Sequence, residues 1–509
     1  MSLLELLTTA SFMNLGAVYL GPGHFTRLSP VAYLGLMAAG AVWLAAAGWI
    51  AYRVMARHAR RGREARGLFL GGLILYGAAG GYVTLVYPPT TDEPHYLMIS
   101  ESLLADGDLE LSGNYAAGEY RKFFPNAAID PHTVIMPDGR MYSQHTAGLP
   151  LAILPGYAFA GRWGATGILA VIAAALLASL YRLCLAAGSP RSPAFAACAV
   201  MGATAPLLFA STLVFTEVAA ALLVATALLN GKSAAKPAAC AAILPWLHPR
   251  FALISAGLMA LDLAQSPRRE RMGRGMVWIA VCGAGAGLFL CVYHGPALTA
   301  VLNVLTEKYP SRLEDLTAGS LVSMSFGNPV AALLGKLFDR DFGIIPYSPW
   351  LLVLVPGIFA ARGIAGRWFL VSGLAYFLAT LVFRNWGGSA YPGRTVVPLL
   401  PYLAPWLAYG INWAREKPFR RRTTAVLAAF SVGTGWLLTA CPVLRYTSGR
   451  DWLAGKLGRG WHAVPQGWFP SLDAGLDANY WIGIMFVAVA LSVAWIMGTW
   501  AVRLLAGRR

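Results

Sequence analysis

Long apolar segments separated by short polar loops run along most of the chain. Several of them approach the ~20 residues that an α-helix needs to cross about 30 Å of hydrocarbon. We interpret as membrane spans the residues 31–53, 67–87, 163–184, 194–213, 217–230, 276–294, 347–360, 369–383, 396–413, 423–440 and 480–502. Together with shorter apolar segments, this pattern predicts an all-α polytopic membrane protein of about 12 to 14 transmembrane segments.

Two apolar segments differ from a simple span. Residues 148–161, "GLPLAILPGYAFAG", are too short to cross comfortably and are expected to lie at the membrane interface. The segment 238–263 contains "PWLHPR", whose two prolines interrupt a helix. It is therefore predicted to be a hairpin of two helices with His248 and Arg250 at its tip. The first 20 residues stay open between a weak extra span and an interfacial helix.

The composition supports a membrane protein. The chain is 57% hydrophobic and 12% charged, whereas soluble domains carry about 25% charged residues. A cleavable signal of the basic, apolar, A-x-A type is not recognisable at the start, so the first spans are expected to direct insertion. The six cysteines are scattered without a C-x-x-C pair, and they indicate neither a disulfide framework nor a metal site.

The net charge of +17 is concentrated in short loops between the spans. Arginine clusters occupy 53–66, 268–274 and 415–422, and the chain ends in "RLLAGRR". Cationic loops are retained in the cytoplasm, so this distribution argues for a membrane topology and against a nucleic-acid partner. It places four loops on the extracytoplasmic side, namely 88–147, 295–346, 384–395 and 441–479.

The first of these loops has an unusual composition. Nine of the 23 acidic residues of the protein fall within 88–147. Its segment "PHYLMISESLLADGDLEL" has apolar residues at helical spacing, which predicts an amphipathic helix lying on the membrane surface.

Four groups of polar side chains fall on the extracytoplasmic side, and the tip of the broken hairpin could approach them. They are Asp92 and Glu93 with His95, then Glu217, then Asp339, Arg340 and Asp341, and finally Arg384 and Arg394. A carboxylate facing arginines suits one kind of reaction. The carboxylate takes a proton from an attacking hydroxyl, and guanidinium groups hold a phosphate and offset the charge that develops on it as it leaves.

Simpler explanations exist for each group. Asp92 could cap a helix, because Pro94 follows in the first helical turn. Glu217 could mark a helix end, Asp339 to Asp341 could form a local ion pair, and Arg384 and Arg394 could extend toward lipid headgroups. His248 could serve as a helix-breaking contact, and Asp262 is expected to mark only the cytoplasmic end of a helix.

The order of these features resembles a known family. An outward span ending in "DEPHYL…SLL.DGDL.L", followed by "DGRMYSQHTAGLPLAILPGYAFAG" with His145, is similar to the first external loop of the GT-C superfamily of membrane glycosyltransferases. The likeness is to bacterial members allied to the protein O-mannosyltransferase and aminoarabinose transferase group. It extends through "LVFTEVAAALL", "LFDRDFGIIPYSPWLLV" and "NWGGSAYPGRTVVPLLP", and covers about residues 67–410.

The resemblance implies a GT-C-type bundle and inverting transfer of a sugar from a polyprenyl-phosphate donor to a hydroxyl or amine of an envelope glycan, lipid or protein. It implies an inner-membrane enzyme with a periplasmic active site, with Asp92 as base and Glu93 in support. Binding of substrate or donor phosphate would fall to Arg394 above all, with these further residues: Arg384, Arg250, His248, Glu217, Asp339, Arg340, Asp341 and His145. Some members of the superfamily use a divalent metal and others do not. The sequence shows no complete set of metal ligands, so no cofactor is predicted and no divalent metal is expected to be required, although the resemblance leaves one possible.

The domain organisation follows from the same reasoning. Residues 1–66 would hold the N-terminal span or spans and a basic cytoplasmic loop, 67–413 the catalytic core, and 414–509 the C-terminal spans. The chain departs from the best-known members in its extra N-terminal span and in lacking a large C-terminal periplasmic domain. The main rival is a transporter or flippase that uses Glu217, His248 and Arg250, and a third hypothesis is a glycan ligase or polymerase of another fold.

Overall fold

A computed structural model describes residues 30–124, 129–293, 295–303, 329–361, 363–382 and 390–446. The predictions made for residues 1–20, for the span 480–502 and for Arg384 lie outside the described residues. Most of the central part of the external loop 295–346 lies outside them as well.

The described chain is mostly helical, with one small β-hairpin. In chain order the helices are α1 (Pro30–Ala59), α2 (Glu64–Val86), α3 (Glu93–Ala105), α4 (Ser112–Ala117), α5 (Gly148–Ala186), α6 (Arg191–Gly202), α7 (Leu207–Ala210), α8 (Thr216–Leu229), α9 (Ala235–Leu247), α10 (Ala252–Gln265), α11 (Arg268–Val292), α12 (Pro296–Asn303), α13 (Pro329–Phe338), α14 (Leu354–Ala360), α15 (Ile364–Val382), α16 (Leu400–Arg415) and α17 (Pro418–Ala440). The strands are β1 (Thr133–Ile135) and β2 (Met141–Ser143).

Five short 3₁₀ segments connect or extend these elements. They are Glu119–Lys122, Pro249–Phe251, Pro349–Val353, Arg394–Leu399 and Pro442–Arg445. Several begin with proline, which has a fixed φ and lacks the N–H that the first turn of a helix leaves without a partner.

Six of the described helices are long and apolar enough to cross a membrane: α1, α2, α5, α11, α15 and α17. Four shorter apolar helical stretches accompany them, at Thr216–Leu229, Ala235–Leu247, Pro329–Phe338 and Pro349–Ala360. An all-α polytopic membrane protein is compatible with this architecture. The predicted total of about 12 to 14 segments is higher than the six long spans found in the described ranges.

The predicted break in the hairpin segment is confirmed, and the boundary predicted between residues 161 and 163 coincides with a kink. The segment around "PWLHPR" is a hairpin in which α9 ends at Leu247 and α10 begins at Ala252, with a 3₁₀ turn between them. Helix α5 has non-helical backbone angles at Ala160 and Gly161, which separates the segment 148–159 from the long span that follows. Gly161 adopts a positive φ of 54° there, a conformation that favours glycine.

Two predictions about the helices are wrong. Helix α3 forms where expected, but Glu93 to Ser102 are all buried, so α3 packs inside the protein instead of lying on a membrane surface. The predicted continuous span 194–213 is also interrupted. Helix α6 ends at Gly202, α7 is a single short helix, and a non-helical stretch then leads into α8. For α3 the location of the helix differs from the prediction, and for 194–213 its continuity differs. Both depend on tertiary packing, which the hydropathy pattern does not show.

The β-hairpin lies in the acidic loop 88–147. Strands β1 and β2 pair antiparallel, with Thr133 opposite Ser143 and Ile135 opposite Met141. The turn between them contains "PDG", in which Gly139 has a positive φ of 85° and Asp138 accepts a hydrogen bond from the backbone N–H of Arg140 at 3.1 Å. These are established turn residues, although the sequence analysis made no prediction of a hairpin here.

Candidate functional site

Asp92 lies in a tight turn between α2 and α3. The prolines at 88 and 89 prevent α2 from continuing, and Thr91 has a positive φ of 53°. That conformation is uncommon for a β-branched residue and marks local strain. Asp92 occupies the N-cap position of α3, yet its side chain makes no capping hydrogen bond. The helix-cap explanation of Asp92 therefore does not account for its carboxylate.

The carboxylate of Asp92 pairs with Arg394. Nη2 of Arg394 donates to Oδ2 of Asp92 at 2.6 Å, and Nε of Arg394 donates to Oε1 of Glu217 at 2.7 Å. The guanidinium carbon lies 4.3 Å from the centre of the Phe215 ring, close enough for a cation–π interaction. One arginine thus bridges two carboxylates that are 125 positions apart in the chain.

Glu217 receives a second arginine from the broken hairpin. It lies in the first turn of α8 with its side chain fully buried. Nη2 of Arg250 donates to the same Oε1 that binds Arg394. We call Asp92, Glu217, Arg250 and Arg394 the Arg394 cluster. The structure joins side chains from three of the predicted polar groups and from the hairpin tip.

The hydrogen bonding of the Arg394 cluster is incomplete. Within the described residues, Oε2 of Glu217 and Nε of Arg250 are buried and have no hydrogen-bond partner. Hydroxyl groups of Thr216 and Tyr391 nearby in the chain are in the same state. Buried polar groups in folded proteins are nearly always paired, so these atoms indicate a place where a polar ligand or water completes the network.

The charges of the Arg394 cluster balance, with two carboxylates and two guanidinium groups. Burial by itself would raise the pKa of Asp92, but the charge and hydrogen bond of Arg394 outweigh it and hold that pKa below its ordinary value. Asp92 is therefore ionised at neutral pH. The side chains of Asp92 and Arg394 remain 19% and 15% exposed, so both are accessible at the edge of the buried cluster.

Glu93 has a different environment from Asp92. Its Oε1 accepts a hydrogen bond from the backbone N–H of Val214 at 2.8 Å, and its Oε2 accepts one from the backbone N–H of Thr90 at 3.0 Å. These bonds connect the Asp92 turn to the segment that leads into Glu217. The contacts support a positioning role for Glu93.

Three histidines lie beside Asp92. The ring of His95 stacks on that of His132 with centroids 3.9 Å apart, and Nδ1 of His132 lies 3.3 Å from Nε2 of His145. Burial lowers the pKa of His145 to about 4, against the opposing effect of the Asp92 carboxylate and with a smaller contribution in the same direction from His132 and Arg394. One potential ligand atom each from Asp92, His132 and His145 lie within 4.8 Å of one another, so these side chains could hold a metal ion.

His132 is the residue of this group that the sequence analysis missed. The "PDG" turn between "TVIM" and "RMYS" is a signal for a β-hairpin. Recognising it would have placed His132 directly opposite Gln144, whose backbone N–H donates to the carbonyl of His132 at 3.0 Å. His145 follows immediately.

The remaining predicted residues are arranged around the Arg394 cluster with local roles. Nδ1 of His248 accepts a hydrogen bond from the backbone N–H of Arg250 at 3.2 Å. Oδ1 of Asp339 accepts from the backbone N–H groups of Asp341 and Phe342 at 2.7 and 2.9 Å. Arg340 and Asp341 form an ion pair at 3.6 Å, as the local explanation predicted. This turn contacts the Arg394 segment through the backbone, since the N–H of Gly393 donates to the carbonyl of Phe342 at 3.0 Å.

Comparisons of the chain with protein-family models, with curated proteins and with solved structures found no match. The residues of the site and their geometry therefore carry the functional proposal.

Proposed function

We propose that the protein is a membrane glycosyltransferase of the GT-C type that transfers a sugar from a polyprenyl-phosphate donor to an acceptor hydroxyl or amine. The observation that carries this proposal is the bridge from Asp92 through Arg394 to Glu217, with Arg250 on the far side. A partly exposed carboxylate paired with one arginine, which shares Glu217 with a second arginine, provides a proton acceptor and a phosphate-binding site in one cluster.

Arg394 would change partners when the donor binds. A phosphodiester brings its own negative charge, which competes with Asp92 for the guanidinium group. As Arg394 turns toward the phosphate, Asp92 loses the partner that lowers its pKa, and its carboxylate becomes a stronger base. Donor binding would thus prepare the base for the reaction.

The chemical step then balances with these residues. The acceptor oxygen or nitrogen attacks the anomeric carbon from the side opposite to the phosphate, and its proton passes to Asp92. The bond between the anomeric carbon and the phosphate oxygen breaks, and its electron pair leaves with the polyprenyl phosphate. Arg394 and Arg250 offset the charge that develops on the leaving phosphate, and the configuration at the carbon is inverted.

The helices that carry the site support an extracytoplasmic location. Asp92 follows the end of α2, Glu217 lies at the start of α8, and Arg394 precedes α16. The opposite ends of α2 and α16 are next to the basic segments at 60–66 and 415–422. By the positive-inside rule, these basic ends would be cytoplasmic and the Arg394 cluster would face the periplasm of a bacterial inner membrane.

The same placement disfavours the transporter hypothesis. Coupling sites of secondary transporters lie near the bilayer midplane, between repeated halves of the bundle. Here the charged side chains lie in loops and at helix ends, on the side of the bundle where Asp92 lies.

A transfer assay tests the function. The purified full-length protein would be incubated with radiolabelled sugars on polyprenyl phosphate, in a panel of several sugars, with bacterial envelope fractions as acceptor. We expect one donor to release polyprenyl phosphate while its label moves to an acceptor. If every donor stays intact, and the protein instead moves a labelled lipid across the bilayer of a liposome, the transporter hypothesis replaces this one.

The location is tested separately by labelling. In a Cys291→Ser background, which removes the exposed native thiol, Ala105→Cys and Arg61→Cys each introduce one thiol at an exposed position. A membrane-impermeant maleimide should label the first variant in intact cells with a permeable outer membrane and the second only after lysis. The reverse result would invert the topology.

A further inference from the structure

The turn that follows α17 folds back on the end of that helix. Helix α17 ends at Ala440, shortly before Pro442. Proline has no N–H, so Pro442 cannot donate to the carbonyl of Leu438 one helical turn earlier. Nε of Arg445 donates to that carbonyl at 2.9 Å. This bond fixes the side chain of Arg445 in the protein interior, where the residue is 0% exposed.

The guanidinium group of Arg445 also reaches the chain that leads to Glu217. Nη1 of Arg445 donates to Oγ1 of Thr212 at 2.8 Å, and Cζ lies 4.7 Å from the centre of the Phe209 ring. Thr212 belongs to the stretch 211–215, which is non-helical and buried between α7 and α8. Such a stretch has no helical hydrogen bonds for its backbone and depends on partners from other elements. Arg445 is one of these partners.

The stretch 211–215 also supports the Arg394 cluster. The backbone N–H of Val214 donates to Oε1 of Glu93 at 2.8 Å, and the Phe215 ring lies against the guanidinium group of Arg394. Glu217 follows in the first turn of α8. A displacement of this stretch would therefore move both the ring and the carboxylate that hold the guanidinium group.

Tyr446, the residue after Arg445, binds the turn that carries Asp92. The hydroxyl of Thr90 donates to the hydroxyl oxygen of Tyr446 at 3.0 Å. The ring of Tyr446 stacks on that of Tyr87, with centroids 6.1 Å apart. Two adjacent residues after α17 thus contact both of the segments that bring a carboxylate to the cluster.

Packing alone does not explain an arginine at position 445. Within the described residues its Nη2 is buried and has no hydrogen-bond partner. Burial lowers the pKa of Arg445 to about 10, against opposing effects of Tyr446 and Glu93, so the group is charged at neutral pH. Burying a charge costs free energy, and an apolar side chain could fill the same space. Arginine adds donors in fixed directions, here one toward α17 and one toward Thr212.

We propose that Arg445 and Tyr446 are positioning residues that set the spacing between the two carboxylate-bearing segments of the Arg394 cluster. With this spacing, one guanidinium group can bind both carboxylates. Both residues lie beyond 67–413, the catalytic core predicted from the sequence. Their effect on catalysis rests on the proposed function, whereas the spacing can be tested without it.

Hydrogen–deuterium exchange of the purified full-length protein tests the spacing without any substrate. Arg445→Gln removes the guanidinium group, and Tyr446→Phe removes one hydroxyl while keeping the ring. In both variants the amides of 89–93 and 211–216 should exchange roughly 5- to 10-fold faster than in the wild type, because one hydrogen bond no longer opposes local opening.

Tyr82→Phe is the matched control. The hydroxyl of Tyr82 also joins α2 to the end of α17, by donating to the carbonyl of Ala440 at 2.7 Å. Its loss removes the same kind of hydrogen bond from a tyrosine, but that bond goes to neither carboxylate-bearing segment. Exchange in 89–93 and 211–216 should therefore stay that of the wild type.

The transfer assay tests the effect on catalysis. Arg445→Gln should lower kcat by up to roughly 100-fold, the loss that a displacement of about 1 Å caused far from the chemistry can produce. Tyr446→Phe should lower it less. Thr90→Val should match Tyr446→Phe, and the two together should cost no more than either alone, because both remove one hydrogen bond. Thr90→Ser, which keeps the hydroxyl, should restore kcat.

The proposal is overturned if exchange in the two segments is the same in Arg445→Gln and Tyr446→Phe as in Tyr82→Phe, or if both variants keep the kcat of the wild type. If Arg445→Gln does not fold, Tyr446→Phe and Thr90→Val decide, because each removes a single hydroxyl. A wild type that transfers no sugar would contradict the proposed function, and the exchange experiment would still decide the positioning role.

Discussion

Two buried groups of arginines and carboxylates in this protein show how similar residues differ in role. The Arg394 cluster lies where α2, α8 and the segment before α16 meet. The second group, here called the Asp262 cluster, consists of Asp262, Arg274 and Trp278 and joins α10 to α11 near the basic loop 268–274. Both contain an Arg–Asp pair with little exposure, yet their hydrogen bonding is organised differently.

The Asp262 cluster is complete. Both oxygens of Asp262 accept from Arg274, and Oδ2 also accepts from Nε1 of Trp278 at 2.8 Å. Nη2 of Arg274 donates in addition to the carbonyl of Gly231 at 2.8 Å. An ion pair with its donors and acceptors occupied can hold helices together. From the sequence, Asp262 was expected only to mark the end of a helix. The structure shows that it also joins α10 to α11.

In the Arg394 cluster, by contrast, one arginine is shared between two carboxylates and the hydrogen bonding is incomplete. Arg394 divides its donors between Asp92 and Glu217, and the described residues leave Oε2 of Glu217 without a partner. An arrangement that is neutral but not saturated can exchange one of its ion pairs for a ligand. The two clusters differ in the completeness of their hydrogen bonding more than in burial or charge, and on this difference we base the proposal that the Arg394 cluster binds a ligand.

The largest expected effect comes from Asp92→Asn. The amide keeps the shape of the side chain but cannot accept the acceptor's proton, so the transfer rate should fall by roughly 10²–10⁴-fold, while donor binding is largely retained. Turnover and donor binding would be measured on the same preparation, with Asp262→Asn as the matched change in the structural cluster. Full activity of Asp92→Asn would remove Asp92 from the role of base.

Arg394→Lys is expected to have the next largest effect. Lysine keeps the charge but has a single nitrogen in place of the planar guanidinium, so it does not reproduce the arrangement in which Nε binds Glu217 and Nη2 binds Asp92. Losing one charge-assisted bond to the donor phosphate, at about 1.5–3 kcal/mol, should raise KM for the donor by roughly 10–100-fold. An unchanged KM would show that Arg394 does not bind the donor phosphate.

Asp262→Asn should change transfer least and stability most. Removing one partner of a buried ion pair costs roughly 3–5 kcal/mol, because Arg274 keeps its charge without its main acceptor. The midpoint of thermal unfolding in detergent should fall, whereas the activity per folded molecule should stay that of the wild type. A loss of activity with unchanged stability would contradict the division between the two clusters.

Much of the fold could be predicted from local pattern. The break at "PWLHPR" and the interruption before the long part of α5 follow from proline and glycine, whose backbone restrictions act whatever surrounds them. The burial of α3 could not be predicted in this way. The spacing of its apolar residues predicted one face toward a membrane and one toward water. In the structure the polar Glu101 accepts a hydrogen bond from Tyr157 of α5 and pairs with Lys122, so groups of the protein take the place of water around it.

The candidate site was predictable in its parts but not in its assembly. Charge topology alone grouped Asp92, Glu217 and Arg394 on one side of the membrane. It could not show that one guanidinium group binds both carboxylates, because these residues are separated by up to 302 positions in the chain. His132 was missed for a related reason, since its neighbour His145 is brought to it by strand pairing.

The amino-acid sequence was enough to predict the membrane character of the chain and the sidedness of its loops. Both depend on composition and charge, which act on each segment separately. The tertiary structure is needed to show which carboxylates have all their oxygens hydrogen-bonded and which, like Glu217, keep one oxygen without a partner in the described residues. That depends on distances of a few ångströms between elements far apart in the chain, where one hydrogen bond made or missed separates the Asp262 cluster from the Arg394 cluster.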